Sequence, residues 1–227
     1  MTRLEPPRRT WTGHTAVLLC VVLALVPVGA LHATAAGEVD PVAQTISDYV
    51  AVPGGYALLG LGTAALATAG LVLAGGIRRA GLPRHRPVAA LLGSWSAAMV
   101  LVGLFPTNEP GTPAGVVAAV HRYAGAWAIA VLPLVGLLAA RRARGAAGWA
   151  GAVPGLTAWS LAAGVLGVAF ALVNLPLWLG VAVAVPLLGS VERVLFAVLL
   201  GLLLVLARAV REAVPAPAPV ALAGGTA

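Results

Sequence analysis

Long apolar runs separated by short charged segments dominate the pattern of this chain. A helix needs about 20 apolar residues to cross a bilayer, with a range of roughly 17–25. Residues 15–37 carry no charge and predict a first span centred on 16–31. A second lies within 49–77, starting near Pro53-Gly54-Gly55, and 87–107 supplies the third. The fourth is expected over about 114–140, with His121-Arg122 near its start. No charge falls between Gly145 and Val191, a stretch too long for one helix and tight for two. Asn174 followed by Pro176 marks a break, because proline lacks a helix donor and restricts the residue before it. The fifth span is therefore placed at about 153–173 and the sixth at about 190–207. Residues 175–189, with Pro176, Gly180 and Pro186, are expected as an outer loop or shallow re-entrant segment, with a seventh span as the alternative.

Arginine positions decide between six and seven spans. With six spans and a cytoplasmic N-terminus, Arg3, Arg8, Arg9, Arg78, Arg79, Arg84, Arg86, Arg141, Arg142, Arg144, Arg208 and Arg211 all fall inside, twelve of the fourteen basic residues. The outer connections hold Glu38, Asp40, Asp48 and Glu109. This satisfies the positive-inside rule at every loop, whereas a seventh span would put Arg208 and Arg211 outside. The reading is an all-α polytopic bundle of six transmembrane helices with both termini cytoplasmic. Residues 1–14 form a cytoplasmic tail, 15–210 the membrane domain, and 211–227, with its Pro-Ala-Pro-Ala-Pro run, a disordered cytoplasmic tail. Arg8-Arg9, the first apolar run and Ala33-Thr34-Ala35 also resemble a secretory signal with its cleavage site. The run exceeds the usual 7–15 residues of such a region, which favours a retained helix.

Composition agrees and removes other classes. Of 227 residues, 60% are hydrophobic and 9% charged, against about 25% charged in ordinary soluble domains, which excludes a soluble enzyme. Every basic residue is arginine, and Ala, Gly, Val and Pro abound, as in proteins of GC-rich bacteria; the expected location is a bacterial cytoplasmic membrane. The net charge of +7 sits in arginine clusters between apolar runs, a topology signal rather than a nucleic-acid footprint. Cys20 stands alone, so no intramolecular disulfide forms. Small residues recur every fourth position at Gly60, Ala64 and Thr68 and at Ala163, Gly167 and Ala171, spacing that suits close helix packing.

Once the spans are set, the remaining polar residues gather at the outer side. Ser47 and Asp48 precede the second span; Thr107, Asn108 and Glu109 follow the third. His121 and Arg122 enter the fourth, Asn174 closes the fifth, Glu192-Arg193 opens the sixth, and His32 ends the first. Ionisable residues in a membrane face the bundle interior or a wet cavity, so Arg122 and Arg193 need partners, and Asp48, Glu109 and Glu192 are the acids at hand. Neighbours on a helix project about 100° apart, so both members of each pair would border one pocket only obliquely. The candidate site is thus Ser47, Asp48, Thr107, Asn108, His121, Arg122, Glu192 and Arg193. It reads either as a pocket for a lipid headgroup or small ligand, or as a network that fixes helix order. No spacing supports a metal site, no cofactor motif is present, and no nucleophile elbow surrounds Ser47.

Thr45-Ile46-Ser47-Asp48-Tyr49, Leu104-Phe105-Pro106-Thr107-Asn108, His121-Arg122-Tyr123 and Val191-Glu192-Arg193 occur in that order. Over about residues 10–210 this arrangement resembles the bacterial membrane family of domain of unknown function 998. The resemblance implies six helices, no assigned activity, and Ser47, Asp48, Pro106, Thr107, His121, Glu192 and Arg193 as signature residues. The family's Phe-Pro-Thr is usually followed by aspartate, where this chain has Asn108. An amide still donates and accepts hydrogen bonds, which suits binding or structure better than proton transfer. The leading expectation is a non-enzymatic membrane protein whose outer cluster binds a lipid headgroup or small ligand or docks a membrane partner. A lipid hydrolase or transferase using Asp48 and His121 is the alternative, and a small transporter the third.

Overall fold

In water, a helix presents one apolar stripe; in lipid it can be apolar all round. The first, fourth and fifth runs are apolar on every face, and each becomes one long helix because lipid offers no other partner for backbone N–H and C=O groups. The computed structural model describes residues 12–108, 112, 115–146, 148–178 and 186–214. Its helices are α1 (Gly13–Thr34), α2 (Gly55–Arg79), α3 (Arg86–Leu104), α4 (Val116–Ala143), α5 (Val153–Trp178) and α6 (Leu188–Ala213). All six are long and apolar enough to cross a membrane. Short 3-10 helices at Ile46–Ala51 and Ala150–Ala152 lie in the connections, and no strand occurs among the described residues.

The last two helices differ from expectation at their ends. The expected break at Asn174-Pro176 is absent: α5 continues to Trp178. Proline there removes one hydrogen bond near the helix end, where few remain to lose, and the Asn174 amide donates back to the Phe170 carbonyl at 2.9 Å. The last helix starts earlier and ends later than 190–207, which carries Arg208 and Arg211 on the helix. Of the segment expected as a loop or re-entrant turn, 179–185 lie outside the described residues, as do 1–11 and 215–227 of the expected tails.

Successive helices pack as neighbours, and α6 packs back on α1, so the six close into a ring. Contacts of α6 with α2 and α4 draw it towards the axis, where Leu195, Leu202, Leu203, Leu206 and Val210 are buried. Arg78, Arg79, Arg84, Arg86, Arg141, Arg142, Arg144, Arg208 and Arg211 mark one end of the bundle, and the candidate residues mark the other. At the arginine end, buried Trp149 donates its indole N–H to the Ala80 carbonyl at 3.0 Å, joining two connections.

Small residues set the close helix contacts, but mostly not those picked out by four-residue spacing. Ala64 and Thr68 are exposed, and the Thr68 hydroxyl bonds back to Ala64. The close approaches use Gly70 against Ser96 and Trp95, Gly103 against Thr63, Gly136 against Ser160 and Leu202, and Gly201 against Trp159. In each pair, the missing Cβ makes room for a neighbouring side chain. Of the α5 stripe, Ala163 is buried and Gly167 lies beside Ile129, whereas Ala171 is exposed.

Candidate functional site

The polar end is built around chain termini of helices, where backbone groups lack intrahelical partners. Thr45-Ile46-Ser47-Asp48 opens the 3-10 helix Ile46–Ala51 with a capping box. One Asp48 carboxylate oxygen accepts from the Thr45 backbone N–H at 2.6 Å and from its hydroxyl at 2.8 Å. The Ser47 and Thr45 hydroxyls are 3.0 Å apart. A Glu192 oxygen, reaching from the start of α6, accepts from the Ile46 N–H at 2.5 Å. Both acids therefore satisfy orphan donors with one oxygen and keep the other free of protein partners.

His121 does the equivalent work for carbonyls. From the second turn of α4, its Nδ1–H donates to the Phe105 carbonyl at 2.8 Å and is 3.1 Å from that of Val102, at the C-terminus of α3. With Nδ1 as donor, Nε2 is left as the acceptor atom of the neutral ring. The Arg122 guanidinium donates to the Asn108 side-chain oxygen at 2.9 Å, and the Asn108 amide donates to the Thr112 carbonyl at 2.8 Å.

Arg193 departs from the expected pairing with an acid. Its Nε–H donates to Nε2 of His32 at 2.7 Å, and one terminal nitrogen donates to the carbonyls of Gln44 at 2.8 Å and Gly189 at 3.0 Å. The guanidinium carbon lies 5.9 Å from the centre of the buried Tyr49 ring, within cation–π range. Gly189 is required here, since a Cβ would meet the Gln44 and Pro41 carbonyls. The single ion pair among the described residues, Arg208–Glu212 at 2.7 Å, is at the opposite end. The expected acid–arginine network is thus replaced by hydrogen bonds to backbone, amide and imidazole. Short connections bring such groups nearer than Asp48 and Glu192, both of which are held by an orphan N–H. Glu109, the third expected acid, lies outside the described residues.

The structure therefore divides the eight candidates. Ser47, Asp48, Thr107, His121, Arg122 and Glu192 line a groove of about 920 Å³ between α4 and α5. Arg193 and Asn108 do not line this groove; Arg193 braces α1, the 41–45 connection and α6, and Asn108 holds Arg122. The groove runs down α4 to Leu137 and along α5 from Asn174 to Ser160, with Ala126, Ala130, Leu134, Leu161, Val165 and Val168 as apolar walls. Among the described residues, no three His, Cys, Asp or Glu side chains come together.

The four motifs, separated by up to about 150 residues in sequence, thus converge at one end of a six-helix ring. The family model described as a protein of unknown function, DUF998, matches residues 18–209. The chain belongs to the DUF998 family. No curated protein and no solved structure matches it. In this DUF998 protein, two partners of the site were not picked out as site residues from sequence: Thr45, which holds Asp48, and Gln44, whose carbonyl holds Arg193. Thr45 was detectable, because Thr-x-x-Asp is a capping-box spacing. Gln44 acts through its backbone, which leaves no sequence signal.

Proposed function

We propose that this multi-pass protein binds a membrane lipid without chemically altering it. The headgroup is held by Asp48, His121, Arg122 and Glu192, and a hydrocarbon chain lies in the α4–α5 groove. The observation that carries this reading is the groove's polarity gradient. Its charged residues sit at one end, and the rest of its length is apolar apart from the Ser160 hydroxyl at the far end. From His121 to Leu137 it follows α4 for about 24 Å at 1.5 Å per residue, most of the ~30 Å hydrocarbon thickness. Arg122 suits a phosphate oxygen, and the free acceptors of Asp48, Glu192 and His121 suit hydroxyl or amine donors. The arginine clusters support a cytoplasmic side for their own end under the positive-inside rule, and with it an outward-facing headgroup site.

The test is lipid retention. Arg122→Gln and, in the groove, Gly164→Leu are expected to lower phospholipid bound per protein in native mass spectrometry, with folding preserved. Unchanged retention in both variants would overturn the reading. A lipid hydrolase or transferase is the second reading, favoured by the free Nε2 of His121 in the groove, placed where a general base would act. It predicts that His121→Ala stays folded and abolishes turnover of a lipid that the unaltered protein converts.

A further inference from the structure

A second space descends from the same polar end. This axial cavity of about 200 Å³ is bordered by α1, α2, α3, α4, α6 and the connections at the polar end, with no contribution from α5. It shares six lining residues with the α4–α5 groove: Ser47, Thr107, His121, Gly125, Ile129 and Glu192. Below them its walls are almost wholly apolar, with Leu66, Trp95, Met99, Leu199 and Leu203 at depth. From Glu192 to Leu203 it follows α6 for about 16 Å at 1.5 Å per residue, close to half the ~30 Å hydrocarbon thickness.

Protein interiors rarely leave voids much larger than a water molecule, and water gains little where few polar partners exist. An apolar cavity of this size, opening beside a headgroup site, suits hydrocarbon. Two features make the junction a fork. Gly125 of α4 borders both spaces and presents no side chain between them; a Cβ there would meet nothing within 4 Å. Ser47 and Thr107 also stand where the spaces meet, and their hydroxyls can donate to ester carbonyls.

We propose that the axial cavity takes the second hydrocarbon chain of a two-chain lipid, whose first chain lies in the α4–α5 groove and whose headgroup occupies the outer cluster. The ligand class is therefore a two-chain glycerolipid rather than a single-chain amphiphile. This rests on the lipid-binding reading above and adds a site to it.

The experiment compares a diacyl phospholipid with its single-chain lyso counterpart of the same headgroup, titrated onto the full-length protein in detergent and read by native mass spectrometry. The unaltered protein is expected to prefer the diacyl lipid by about tenfold or more. Gly60→Leu fills the axial cavity from α2, where a Cβ meets nothing within 4 Å. Val28→Phe fills it from α1, which guards against one variant failing to fold. Either is expected to abolish the diacyl preference while leaving lyso-lipid binding unchanged. Undiminished diacyl binding in the filled variants, or equal loss of both lipids, would overturn the two-chain assignment. Equal binding of both lipids by the unaltered protein overturns it too and leaves the lipid-binding reading standing. Binding of neither lipid removes both.

Discussion

Arg193 of α6 donates its Nε–H to Nε2 of His32 on α1 at 2.7 Å, joining the last helix to the first. His32 is held for this role because its Nδ1–H donates to the Val28 carbonyl at 2.7 Å, which leaves Nε2 as an acceptor. Its ring also packs against Tyr49, with centroids 5.0 Å apart. One guanidinium thus closes the helix ring and anchors the connection that carries Ser47 and Asp48.

His32→Ala removes an acceptor from a charged, half-buried donor, a loss of about 1.5–3 kcal/mol. Denaturant unfolding in detergent is expected to show that decrease. Arg193→Lys should not restore stability, because one ammonium cannot reproduce a planar fork aimed at imidazole and two carbonyls. Full stability in Arg193→Lys would show that the clamp's geometry does not matter.

Glycines divide by what a Cβ would meet. Gly70→Ala and Gly136→Ala each drive a methyl into a serine hydroxyl and a neighbouring side chain, Trp95 or Leu202. Overpacking of this kind costs about 1–3 kcal/mol. Gly93→Ala meets nothing within 4 Å and lies in mid-helix, so it is expected to be neutral or to stabilise by up to about 1 kcal/mol. Thermal unfolding of the three variants side by side checks the order.

Asp48 combines a scaffold contact through one carboxylate oxygen with a second oxygen that has no protein partner, and substitution separates them. In Asp48→Asn the side-chain oxygen can still accept from Thr45, so stability should change little, whereas Asp48→Ala removes the cap at a cost of about 0.5–2 kcal/mol. If the carboxylate contacts a headgroup, the Asn variant keeps its unfolding midpoint and retains less lipid. Equal lipid retention with equal stability would confine Asp48 to the cap.

Orientation is testable with single cysteines. Glu38 and Arg144 are exposed at opposite ends, and native Cys20 is buried. In a Cys20→Ser background, Glu38→Cys is expected to react with a membrane-impermeant maleimide on intact cells, and Arg144→Cys only after lysis. The reverse pattern would place the polar cluster in the cytoplasm.

Much of the fold was legible because lipid enforces it. A run of about 20 apolar residues has one stable backbone in a bilayer, so six runs give six helices wherever their ends fall. The ends themselves were less legible. Asn174-Pro176 carries the signals of a stop, yet proline near a helix terminus forfeits little, and α5 runs on to Trp178. The gathering of polar residues at one end also followed from counting spans, since antiparallel helices return alternate connections to the same side.

The sequence alone determined that the chain fills a membrane with six helices, and which residues share the polar end. Tertiary structure decided which way each of those residues turns. Glu192 and Arg193 are adjacent, yet Glu192 enters the cavities and Arg193 turns to His32. The physical reason is that α1, α4 and α5 are apolar on every side, so little in their patterns marks an inner face. Only the neighbours against which each helix packs select it. The fork between groove and axial cavity arises in the same way, from the spacing of helices around residues such as Gly125, which have no side chain to fill the gap.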